Sequence, residues 1–223
     1  MKPELTNLTF SIWHILRMNL GWMVWNSFLA WIPLGLSVWL FRGKLNNRSW
    51  IWWLGLLVFY GFLPNAPYLL TDVIHLIDDI RSVPSVWLIT LVLIPVYSIV
   101  ILSGFGAYTL SLINLGYYLQ RIGKSQWVGF SELLTHFLCA IGVYLGRFLR
   151  FNTWDFITDA NALAASLVDD VLRKVPLLII AVTFVVISVL YWIAKKIILG
   201  VIEQRLAQVA RRKQRSNKPD PLL

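Results

Sequence analysis

The sequence predicts an all-α polytopic membrane protein with about five transmembrane helices, on three observations. Hydrophobic residues make up 58% of the chain and charged residues 14%, against roughly 45–50% and about 25% in soluble domains. The mean hydropathy is +0.67. The apolar stretches are continuous and reach the roughly 20 residues that cross a hydrocarbon core of about 30 Å, whereas a transmembrane β-barrel would show short alternating segments.

The elements follow in order. Residues 1–22 lack a compact apolar core followed by a small-residue cleavage site, so the first span is expected to direct insertion itself. That span is 21–41, "GWMVWNSFLAWIPLGLSVWLF", with Trp residues and Arg42 suited to the interfaces. A basic loop, "RGKLNNR", leads to a short second span, about 49–63, ended by Pro64. Asn65 then reads as a helix N-cap and Pro67 as an early-turn residue. The segment that follows, too short to span and too apolar for water, is expected to be a re-entrant or interfacial helix.

Residues 86–120 are apolar but interrupted by Pro95, Gly104 and Gly106. One span over about 86–110, continuing as a kinked or interfacial end, fits that length. Span four is about 128–148 and span five about 176–199. Between them, Ile157, Ala160, Ala164, Leu167, Val168, Val171 and Leu172 recur at helical spacing opposite Asp159, Asp169, Asp170 and Arg173. An amphipathic surface helix is expected there. The domain organisation is a single helical membrane domain over 1–204 and a basic, disordered tail over 205–223.

Charge sets the orientation. Of the 20 Lys and Arg residues, thirteen fall on the C-terminal tail's side and seven on the other. Positive-inside counting then gives an outside N-terminus and an inside C-terminus. The net charge of +9 is a cytoplasmic excess, suited to the bilayer and its anionic lipids at the tail. No basic face on a soluble module points to nucleic acid. Cys139 is the one cysteine, so an intrachain disulfide and a Cys-based metal site are excluded.

Polar residues gather in two places. "GFLPNAPYLLTDVIHLIDDIR", residues 61–81, holds Asn65, Asp72, His75, Asp78 and Asp79; "GRFLRFNTWD", residues 146–155, holds Arg147, Arg150, Asn152, Trp154 and Asp155. In a five-span chain the second and fourth connections emerge on one side whichever way the protein is inserted. A helix from Ala66 would align Asp72, His75 and Asp79 at spacings of three and four. Asp72 or Asp155 is then expected to pair with Arg147 or Arg150, since ionisable groups at membrane depth pair or serve a function. The alternative is that both arginines snorkel to the interface. One imidazole among carboxylates is an uncommon zinc set, so no metal is expected; His75 reads instead as a proton-exchanging or hydrogen-bonding group. No cofactor motif is found, because "GFGAYTL" lacks the preceding strand of a dinucleotide loop.

These two stretches resemble a family of prokaryotic integral membrane proteins of unknown function, in which L-P-N-A-P-Y-x-x-T-D-x-x-H and G-R-F-x-R-x-N-x-W-D blocks recur. The resemblance marks Pro64, Asn65, Pro67, Tyr68, Thr71, Asp72, His75, Gly146, Arg147, Arg150, Asn152, Trp154 and Asp155, and implies a prokaryotic inner-membrane protein without supplying an activity. Asp78 and Asp79 fall outside the matched blocks. Three functions compete on the residues: a polar pocket at the non-cytoplasmic face that binds or processes an anionic headgroup or small anion, a small proton-coupled transporter, and an assembly protein whose charges form a structural ion network.

Overall fold

The computed structural model describes residues 2–43, 48–149 and 174–216. Among them every regular element is helical, and five helical runs are long and apolar enough to cross a membrane. Helix α1 is Lys2–Arg42, and its membrane-crossing part is Asn19–Arg42. The second run, Trp50–Ser82, comprises α2 (Trp50–Phe62), α3 (Asn65–Tyr68), a 3₁₀ turn (Leu69–Asp72) and α4 (Val73–Ser82). The third, Val86–Arg121, comprises α5 (Val86–Leu88), a π-helical turn (Ile89–Leu93) and α6 (Ile94–Arg121). Helix α7 is Val128–Arg147 and α8 is Lys174–Ser216.

Three features differ from the sequence expectation. Span two is followed, within one apolar run Trp50–Ser82, by a turn at residues 63–64, α3, the 3₁₀ turn and α4, and the expected re-entrant or interfacial helix is not confirmed. Two prolines disturb the ladder without ending it. The Ala66 amide bonds the Leu63 carbonyl three residues back, and the side-chain amide of Asn65 donates to the Phe62 carbonyl at 2.9 Å. Asn65 is therefore the first residue of α3, with Pro64 in the N-cap place expected of it, and its side chain serves a carbonyl of the proline-distorted turn.

The third run continues as regular α-helix from Ile94 to Arg121, where a kinked or interfacial end was expected past about residue 110. Pro95 is accommodated by the π turn before it, which widens the backbone where the proline ring would meet a carbonyl of the preceding turn. Helix α8, finally, runs through Ser216, so residues 205–216 are helical where a disordered tail was expected. Its Gln-, Arg- and Ala-rich composition has high helix propensity, which a reading by charge alone neglects. The amphipathic surface helix expected between spans four and five lies outside the described residues.

Helix α6 is the centre of the bundle. Its closest neighbour is α1, and α7 packs on α8. Phe41, Phe59, Tyr108, Leu112 and Tyr118 fill the main core. Outward faces are apolar as well: Trp25, Trp31, Trp53, Trp87 and Trp192 are exposed, as expected where lipid replaces water around the helices. α3 is wedged against α1, α6 and α7. Two glycines make room for this knee. A Cβ on Gly142 would lie 2.6 Å from the Pro64 ring, and one on Gly104 would collide with the Leu69 side chain. At the other end, Arg121 donates to the carbonyls of Phe41 (3.3 Å) and Gly43 (3.1 Å), satisfying the last turn of α1.

Candidate functional site

The knee decides what the site can be. Seating Ala66, Pro67 and Leu69 in the core turns Tyr68, Thr71, Asp72 and His75 toward the end of α7, where the buried face through Ala140, Val143 and Tyr144 leads to Arg147. The guanidinium of Arg147 is held on four sides. Its Nη2 donates to Asp72 Oδ1 at 2.6 Å and to Thr71 Oγ1 at 2.6 Å; Nε donates to Thr71 Oγ1 at 2.9 Å. Nη1 donates to His75 Nε2 at 3.2 Å, and the Tyr68 ring lies under the cation at 4.5 Å from Cζ, a cation–π contact.

Two details of this geometry carry chemistry. Thr71 donates its own hydroxyl hydrogen to the Tyr68 carbonyl at 2.6 Å, so both lone pairs face Arg147. Arginine has no acceptor, so in this contact His75 Nε2 is the acceptor. The arginine and Asp72 form an ion pair with the Asp72 side chain 1% exposed and the Arg147 side chain 14%. Asp72 Oδ2 is buried and has no hydrogen-bond partner among the described residues, so the carboxylate is satisfied on one oxygen only. A buried acceptor left unpaired costs about 1–3 kcal/mol, more when charged.

The sequence-predicted residues divide accordingly. Asp72, His75 and Arg147 meet, and the expected acid–base pair forms between Asp72 and Arg147. Asp79 is not bonded to Arg147. Its Oδ2 accepts from Asn19 Nδ2 at 2.7 Å and from Tyr97 Oη at 2.8 Å. It is linked to the cluster at one remove, because the Trp22 indole donates to Asn19 Oδ1 at 3.0 Å while its ring lies 4.9 Å from that of His75. Asn65 supports the knee below. Asp78 makes an exposed contact with Arg81 at 4.0 Å. Arg150, Asn152, Trp154 and Asp155 lie outside the described residues.

Sequence reasoning missed a second polar cluster toward the start of α7. Glu132 Oε1 accepts from Tyr191 Oη at 2.7 Å and from Lys195 Nζ at 2.5 Å. The Tyr191 ring packs 4.6 Å from that of His136, whose Nδ1 shares a 2.6 Å hydrogen bond with Tyr108 Oη. The available signal was the spacing of Glu132, His136 and Cys139 along one face of α7, with Tyr191 and Lys195 one turn apart on α8. Missed too were Asn19, Tyr97 and Trp22, which bring α1 and α6 to Asp79.

No curated protein and no solved structure matches the chain. Residues 25–189, which take in both polar clusters apart from Asn19, Trp22, Tyr191 and Lys195, match the family described as "Protein of unknown function (DUF1361)". The chain belongs to that family.

Proposed function

We propose that the Arg147 cluster is a binding site for an anionic group, a lipid headgroup or a small anion, at the non-cytoplasmic face of a prokaryotic inner-membrane protein inserted with its N-terminus outside and its C-terminus inside. The observation that carries this reading is the difference in access across the ion pair: the Arg147 side chain retains 14% exposure and the Asp72 side chain 1%. A ligand reaching the cluster therefore meets the arginine before the aspartate. Arginine's planar fork suits phosphate and carboxylate, and its cradle of Thr71, His75 and Tyr68 fixes the fork before a ligand arrives, which reduces the ordering cost of binding. The basic residues of α8 and the tail lie against the anionic lipids of the opposite leaflet in this orientation.

The test is ligand-dependent unfolding of the detergent-solubilised protein. A soluble phosphodiester, sulfate and short-chain phosphatidylglycerol are the probes, with phosphatidylcholine as control. A bound anion should stabilise by about 2.7 kcal/mol at a hundredfold excess over Kd. Arg147→Lys, which keeps the charge and loses the fork, should weaken that shift, and Arg147→Gln should remove it. A response to phosphatidylglycerol alone identifies a headgroup site, and a response to all three an anion site. An equal shift in Arg147→Gln would overturn the assignment.

A further inference from the structure

Arg147 is already neutralised by Asp72 at 2.6 Å. An anion joining this pair would leave a buried net negative charge, which the membrane interior penalises strongly. Neutrality is kept if a proton arrives with the anion, and the carboxylate has a place for one: Asp72 Oδ2 is buried and unpartnered among the described residues, while Oδ1 faces the arginine. Resting on the anion-site reading above, we infer that the cluster binds an anion and a proton together, with the proton taken from water onto Asp72 Oδ2 as Arg147 transfers its charge pairing from Asp72 to the ligand.

The surroundings single out Asp72 as the proton's seat. The described titratable groups facing it are Arg147 from α7, His75 and Tyr68 from its own helical run, and Tyr97 from α6, whose hydroxyl is committed to Asp79. α1 contributes the uncharged Asn19 and Trp22 near this end and carries the exposed Arg17 two residues before Asn19. His75 Nε2 accepts a hydrogen bond from Arg147, so protonating it would put a second cation against the first. Asp72 is the group whose protonation frees the arginine. A site of this kind couples ligand occupancy to the pH on its own side of the membrane.

The probe is dimethyl phosphate, a monoanion whose own charge does not change across the working range, titrated calorimetrically into the detergent-solubilised full chain from pH 5 to pH 8. One proton per anion means that Kd weakens tenfold for each pH unit over which free Asp72 is ionised, by linkage. Repeating the titration in buffers of different ionisation enthalpy should count close to one proton taken up, a measurement that needs no variant. Asp72→Asn should bind at all pH values about as tightly as the wild type does at its most acidic, with no uptake. His75→Gln should keep the slope. Binding with no pH dependence and no uptake overturns the coupling and leaves the anion site standing. A slope that survives Asp72→Asn and vanishes in His75→Gln overturns the assignment to Asp72. Absence of binding in both wild type and Asp72→Asn overturns the coupling and the anion site together.

Discussion

The two ends of α7 solve the same problem with opposite parts. At the Arg147 end α7 supplies the cation and the second helical run supplies the carboxylate, Asp72. At the Glu132 end α7 supplies the carboxylate and α8 supplies the cation, Lys195. Fifteen residues, about 22 Å along a helix, separate them. Arg147 spreads its fork over three polar partners and a ring, but leaves one oxygen of Asp72 unpaired. Lys195, a point charge, shares a single oxygen of Glu132 with the Tyr191 hydroxyl, and its side chain is 28% exposed. The Glu132 pair ties α7 to α8, a task that several polar contacts could perform. The Asp72 pair joins the knee to α7 around a cation with a defined plane and an incompletely satisfied partner, and such a construction is the better candidate for function.

The comparison can be broken most sharply by topology. In a Cys139→Ser background, which removes the buried native thiol, a cysteine at Asp78 should label with a membrane-impermeant reagent in intact cells, and one at Arg211 only after lysis. Labelling of both in intact cells would put the two ends of α7 on one side of the membrane.

Next in size is the ion pair at the knee. Arg147→Ala and Asp72→Ala should each destabilise the solubilised protein by about 3–5 kcal/mol, because each leaves a buried charge uncompensated. The double variant should lose clearly less than the sum. Additive, near-neutral effects in equilibrium unfolding would mean that both groups are solvated at the interface.

Packing at the knee comes third. Gly142→Ala drives a methyl into the rigid Pro64 ring at 2.6 Å and should cost about 1–3 kcal/mol. Gly104→Ala meets chiefly the terminal methyl of Leu69, which can rotate away, so its effect should be the smaller of the two. The reverse order in a chemical-denaturation series would show that Pro64 yields more readily than Leu69.

Smallest is the Glu132 end. Glu132→Gln keeps an acceptor for Tyr191 and gives up an ion pair that is partly exposed, so a loss of about 0.5–2 kcal/mol is expected. A loss as large as that of Arg147→Ala would remove the contrast between the two ends.

How much of this was legible depends on which forces were local. The spans could be read because hydrocarbon thickness imposes a length and a composition on each segment separately. The meeting of Asp72 and His75 with Arg147 could be read because alternate connections emerge on one side of a membrane, a topological fact that needs no packing detail. Asp79 went elsewhere because its partners, Asn19 and Tyr97, lie on helices to which no sequence spacing linked it. The Glu132–Tyr191–His136–Tyr108 group stayed hidden because its members come from three apolar stretches, and although Glu132 and His136 share a face of α7, nothing in the spacing linked them to Tyr108 or Tyr191: helix–helix pairing has no period. Pro64 and Pro67 were read as helix punctuation because in water they usually are. Against the three helices that grip α3, they became a bend within a continuing run.

The π turn at Ile89–Leu93 has a consequence for how this molecule tolerates change in length. A π turn holds one residue more than an α turn. Deleting a single residue there would let the segment close to ordinary helix with the elements on either side kept in nearly their present orientation. Tyr97, and with it the bond to Asp79, would keep its place, whereas the same deletion inside α6 between Ile94 and Tyr97 would turn Val86–Leu88 by about 100° against the rest of the bundle. The wide turn thus acts as one residue of slack in how the hairpin between the second and third spans is wound onto the bundle. An insertion or deletion of one residue before it should be felt at Asp79 sooner than an equal change in the basic loop near residue 45.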